Sequence, residues 1–159
     1  MTPSSQPFDN AHAVKCDLAG EALRLSGTLR LRVMGWSMLP AVWPGDTLVI
    51  ERAESDAVSD GDIVLFSRDR RLFAHRVVAK DDRAGESGIR TRGDAMPQAD
   101  PPVSDRDLLG KVSYIVRNGK CIEPSKTPRL SERAISALVR SSDVAARVVV
   151  GVYGMRQKS

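Results

Sequence analysis

The chain has 159 residues, of which 42% are hydrophobic, 28% charged and 4% aromatic, a composition that suits one globular domain with a core of its own. So few aromatic side chains leave little on which unpaired bases could stack, and nucleic acid is not an expected partner. The formal charge of +4 is uneven: residues 126–159 hold seven Lys/Arg against Glu132 and Asp143, a balance of +5 that leaves about −1 for the rest.

Residues 1–10 are polar and contain Pro3 and Pro7, which reads as a loose arm. Between Ala11 and Leu25, the residues Val14, Leu18, Ala22 and Leu25 recur at three-to-four spacing and Gly27 supplies a stop, so a short helix is predicted. The period then changes. Leu29, Leu31 and Val33 alternate with Arg30, Arg32 and Met34, as in a strand with one wet face. Further strands are predicted at Thr47–Arg52, Asp62–Arg68, Leu72–Ala79, Ile89–Thr91, Leu109–Arg117 and Lys120–Ile122. Turn chemistry separates them, with Asn118-Gly119 a strong two-residue hairpin signal. Residues 28–125 therefore read as a compact, mainly antiparallel β domain, between an arm and short helix at 1–27 and a basic tail at 126–159.

In that tail, Ser131–Val150 returns to helical spacing with Ser131 as N-cap, and Arg133, Arg140 and Arg147 fall seven apart on one face. Such a helix suits peripheral contact with an anionic membrane. Residues 1–12 lack the basic start and apolar core of a secretory signal, and Val148–Met155 is far shorter than the ~18 apolar residues of a membrane span. A cytoplasmic protein without signal peptide or transmembrane segment is expected. Cys16 and Cys121 show neither CxxC nor metal-ligand spacing, so no disulfide framework, metal or cofactor is expected.

The chemistry centres on Gly35-Trp36-Ser37-Met38-Leu39-Pro40. A serine hydroxyl needs a base to take its proton. Lys80 is the only lysine between Ser37 and Lys111, and of the two histidines His12 lies in or near the arm, which leaves His75. An imidazole titrates near ~6.5 unaided, whereas a lysine must be driven down from ~10.4 by burial, so Ser37 with His75 needs the less tuning. Gly35, Pro40, Pro44, Gly45 and Asp46 suit a chain turning sharply on either side of an exposed serine. Met38 should anchor that turn and Trp36 should line or cover a groove.

These residues resemble the superfamily of type I signal peptidases and SOS-repressor (LexA-like) serine proteases. Its hydrophobic strand, G-x-S-M-x-P, then G-D and a second strand are similar to Val33–Pro40 and Gly45–Ile50, and its G-D-I-V-x-F block and base-bearing strand to Gly61–Phe66 and His75–Val78. Histidine before the Arg-Val pair is similar to the endoplasmic-reticulum and archaeal-like branch, where bacterial signal peptidases have lysine. The resemblance covers roughly residues 29–117. It implies Ser37 as nucleophile, His75 as general base and then acid, and Asp94 or Asp100 as the carboxylate behind the ring, with both left open. It further implies a serine endopeptidase cutting an extended peptide or protein substrate after a small residue. In two respects the chain departs from the pattern: Gly35 stands where many signal peptidases have an oxyanion-holding serine, and the usual membrane anchor is missing.

Two other readings compete. The SOS-repressor branch cuts itself at an Ala-Gly bond, and this chain has Ala19-Gly20, although only about 17 residues ahead of Ser37 and within a predicted helix. A non-catalytic module of the same fold that binds a peptide or partner is the other. The oligomeric state is left open.

Overall fold

A computed structural model describes residues 7–81 and 88–127. Helix α1 (Pro7–Ser26) is followed by strands β1 (Thr28–Arg32), β2 (Thr47–Arg52), β3 (Ile63–Arg68), β4 (Arg71–Asp81), β5 (Gly88–Arg92), β6 (Val103–Ser104), β7 (Leu108–Arg117) and β8 (Lys120–Ile122). All pair antiparallel in one sheet of order β1-β2-β7-β3-β4-β5-β6, with β8 added to β7 outside that path. This is the mainly β body with an N-terminal helix that the patterning predicts. The helix expected at 131–150 lies outside the described residues.

Strand β3 explains why the sheet holds together. Ile63–Phe66 is buried on both faces, so it reads as a continuous apolar run rather than an alternation. Ile63 and Leu65 join Leu48, Ile50, Val112, Ile115 and Leu23 of α1 in one core layer, while Val64 and Phe66 join Val58, Val77, Ile89, Val103 and Leu108 in another. Full burial of each such side chain contributes about 1.5–3 kcal/mol relative to exposure.

Helix α1 departs from its sequence reading in extent and in face. It begins at Pro7 and ends at Ser26, and the next residue, Gly27, with a φ of 73°, closes the last turn by donating its N–H to Leu23 O. An apolar stripe is ordinarily the face a helix buries. Here Val14, Leu18 and Leu25 are 54%, 63% and 77% exposed, whereas Ala19 and Leu23 are buried. The small residues Ala19 and Gly20 let the helix come close to the sheet, so Leu23 reaches the core and the larger stripe stays outside.

The strand boundaries otherwise shift by one or two residues. β6 has only two residues, too few for an alternation to register. The β3–β4 turn places Asp69 and Arg70 at φ 49° and 58°, and the β7–β8 turn places Asn118 and Gly119 at φ 50° and 75°, left-handed pairs whose twist matches that of the flanking strands.

Candidate active site

Three segments meet at the site: the loop between β1 and β2, the middle of β4, and the stretch from β5 to β6. The first is an excursion with a closed neck. Val33 N–H donates to Asp46 O, and Gly45 N–H donates to Val33 O. Beneath it, Met38 and Val42 are buried in the core layer under α1, and Leu39 and Pro40 are buried beside them. The Asp46 carboxylate, 2% exposed, accepts from Trp43 N–H at 2.8 Å and from Arg117 Nη2 at 2.7 Å. Arg117 Nη2 also donates to Ala41 O at 3.0 Å. Asp46, read from the sequence as a turn residue, is therefore the post that ties the loop to β7. The Ser37 N–H donates to no acceptor among the described residues, and Met34, Gly35 and Trp36 before it are exposed.

His75 lies on β4 opposite Val64 of β3, its ring buried against the stacked pair Phe66 and Phe73, 5.9 Å from each centroid. Its Nε2 is 3.0 Å from Ser37 Oγ and its Nδ1 is 2.7 Å from Asp100 Oδ2. An ionised carboxylate only accepts, so the ring proton sits on Nδ1 and the Nε2 lone pair faces the serine hydroxyl. Lys80, the alternative base, is exposed in register with Ile89, five residues along β4 and so roughly 17 Å from His75. His12 is exposed on α1.

Asp100 is held from several directions. Thr91, fully buried on β5, donates its hydroxyl to Asp100 Oδ2 at 2.7 Å, and its carbonyl accepts from Asp100 N–H at 2.7 Å. Partial burial pushes the Asp100 carboxyl up. The hydrogen bonds from His75 and Thr91, with the charges of His75 and Arg68, outweigh it, and the group lies below its ordinary value of 3.8. Arg68 also fastens the following residues by donating to Pro101 O and Pro102 O.

Of the two aspartates left open by the sequence, Asp94 is not at the imidazole. Its carboxylate takes a bidentate pair from Arg76, Nε to Oδ1 at 2.8 Å and Nη2 to Oδ2 at 2.7 Å, with both side chains 7% exposed. The reason is strand alternation: His75 and Arg76 are adjacent on β4 and point to opposite faces, so each finds its own carboxylate. Sequence reasoning missed three supports, Thr91, Arg76 and Gly93. A Cβ on Gly93 would fall 2.6 Å from Ser37 O and 3.2 Å from His75 Nε2, so this backbone passes directly against both groups. Ala95 N–H, two residues on, donates to Ser37 O at 2.9 Å. The one signal available for Gly93 is its position directly before the candidate Asp94; Thr91 and Arg76 gave none that pattern alone could read.

Gly35 faces open space, with nothing within 4 Å of an added Cβ. No side-chain hydroxyl stands there, so the donor at hand for an oxyanion is the Ser37 N–H. Among the described residues no group of three or more His, Cys, Asp or Glu could hold a metal ion, and no helix is long and apolar enough to cross a membrane.

Residues 6–85, which include Ser37 and His75, match the family model of Peptidase S24-like proteins. No curated protein gives a significant match.

Proposed function

The chain belongs to the Peptidase S24-like family, and from that premise we propose that it is a serine endopeptidase working through Ser37, His75 and Asp100. The observation that carries the reading is the unbroken line of hydrogen bonds from Ser37 Oγ through the imidazole to Asp100, 3.0 Å and 2.7 Å long. His75 Nε2 takes the hydroxyl proton as Ser37 Oγ adds to the scissile carbonyl. The resulting imidazolium, steadied by Asp100, returns that proton to the leaving amine and the acyl-enzyme forms. Water, deprotonated by the same ring, then releases the acyl group and restores Ser37. The tetrahedral oxyanion is held by the Ser37 N–H; the absence of a side-chain donor at residue 35 costs about a hundredfold in rate relative to a site that has one.

The substrate is an extended peptide laid along Met34–Trp36, where the chain running into the nucleophile is exposed at the sheet edge beyond β1. Cleavage after a small residue such as Ala is the specificity this reading assigns, by likeness to signal peptidases. Self-cleavage at Ala19-Gly20 is disfavoured because that bond lies inside α1 with Ala19 buried, and a protease needs its substrate extended. A binding module without turnover draws on one observation, the open space at Gly35.

The test is labelling of the purified chain with a serine-directed acylating probe, followed by a peptide library read by mass spectrometry. Ser37 should be acylated, Ser37→Ala should abolish both labelling and turnover, and His75→Ala should slow them about a thousandfold. Equal labelling of wild type and His75→Ala would remove the imidazole from the mechanism. Peptide binding that survives Ser37→Ala with no peptide cut by the wild type would establish the binding module instead.

A further inference from the structure

We propose that Arg68 is a positioning residue for this site: by tying down the chain directly after Asp100, it keeps that carboxylate on His75 Nδ1. This role rests on the serine endopeptidase reading above and deepens it.

Asp100 needs support from outside its own loop. It lies between β5 and the two-residue β6, where Pro97, Gln98, Ala99, Pro101 and Pro102 are all exposed, so little burial holds the loop in place. On its N-terminal side, Asp100 N–H donates to Thr91 O at 2.7 Å. On its C-terminal side come two prolines, which have no N–H to give, so only their carbonyls are left to be held. Arg68 Nη2 donates to both, to Pro101 O at 2.9 Å and to Pro102 O at 2.7 Å. Among the described residues no other donor reaches these two carbonyls.

Strand alternation aims the guanidinium. Val64, Phe66 and Arg68 share one face of β3, and Arg68 Cζ lies 5.4 Å from the centroid of the Phe66 ring. That ring stacks on Phe73 at 5.6 Å, and the imidazole of His75 rests against both. One side chain thus spans from the aromatic shelf under the base to the loop that carries its carboxylate, and sets the two in register. Asp17 of α1, Asp69 and Asp107 line the same open cavity as Arg68, yet among the described residues it forms no ion pair with them. A slip of the loop by about 1 Å would stretch the 2.7 Å contact of His75 with Asp100 to about 3.7 Å, past hydrogen-bond reach.

Arg68→Met keeps an unbranched stem over Phe66 and removes both donors. On a cleaved peptide it should lower kcat roughly a hundredfold, the scale of a misplacement by about 1 Å, with KM within about twofold of wild type. Arg68→Lys keeps the charge but not the planar fork, so it should fall between, about tenfold down. A second readout needs no turnover: the His75 Nδ1–H proton of the wild type, followed by NMR near pH ~8, where an ordinary imidazole is neutral. Of the two histidines, His12 is exposed on α1 and its ring proton exchanges with water, so the one protected ring signal belongs to His75. That signal should be lost in Arg68→Met while β3 and β7 keep their amide protection. A folded Arg68→Met protein that retains the signal, a wild type that lacks it, or a change confined to KM would overturn the proposal. A wild type that neither labels at Ser37 nor cuts any peptide would refute the endopeptidase reading instead, and the ring proton would still decide what Arg68 holds.

Discussion

Replacing Gly93 by alanine puts one methyl group where three neighbours already stand: Ser37 O at 2.6 Å, Met96 Cγ at 2.7 Å and His75 Nε2 at 3.2 Å. Relaxed heavy-atom contacts begin near ~3.5 Å, so the Ser37 carbonyl and residue 93 must separate by roughly 0.9 Å. The Met96 side chain can swing away. The carbonyl cannot do so without loosening its hydrogen bond from Ala95 N–H. The expected result is a stability loss of about 1–3 kcal/mol from overpacking, together with a drop in kcat/KM of roughly a hundredfold from misplacing the nucleophile by about 1 Å. Initial rates on a cleaved peptide, measured well below the melting temperature of the variant, separate the two effects. A folded Gly93→Ala protein within about twofold of wild-type kcat/KM would refute the idea that this backbone sets the position of Ser37 against His75.

Asp100→Asn and Asp94→Asn should part company. The first presents an amide to Nδ1, favours the wrong ring tautomer and lowers turnover about 10⁴-fold with little loss of fold. The second leaves the buried Arg76 guanidinium without its counter-charge and lowers stability by about 3–5 kcal/mol in urea unfolding; the reverse pattern would exchange their roles. Because the Asp100 carboxyl is held below 3.8, its contribution to stability is complete above that value and is lost as the pH falls through its lower folded-state value. Thr91→Val removes one of the hydrogen bonds that lower it, so the acid end of the stability profile should move up in pH, with Thr91→Ser restoring the wild-type curve. Arg70→Gly should raise stability by about 0.5 kcal/mol, since relief of a left-handed non-glycine residue, worth about 1–2 kcal/mol, exceeds the entropy that glycine adds to the unfolded chain. An unchanged or lowered urea midpoint would contradict that balance.

Much of this fold could be read from the sequence because it is written in short-range patterns. The alternation in β1, the apolar run of β3 and the Asn118-Gly119 turn are each local, and each appears within a residue or two of its predicted place. The face of α1 was not legible. Helical spacing finds apolar stripes without saying which one meets the sheet, and closeness of approach at Ala19 and Gly20 selected the smaller residues. The choice between Asp94 and Asp100 was also hidden, because it depends on which face of β4 each carboxylate approaches. That information belongs to the pairing of β4 with β5 and not to the spacing of the acids. Thr91 and Gly93 act through a hydroxyl aimed inward and a missing side chain, which composition cannot register.

The bond from Arg76 to Ser125 O, the post formed by Asp46 with Arg117 and the pairing of His75 with Asp100 share a property of timing. Each holds a reactive part of the molecule by means of residues made much later: the serine loop by Arg117, the histidine strand by Ser125 and the imidazole by Asp100. A ribosome-bound fragment that already carries both the alcohol and its base still lacks every one of these fastenings. The alcohol and its base therefore take up their final geometry only after Asp100, Arg117 and Ser125, all well downstream of both, have been made.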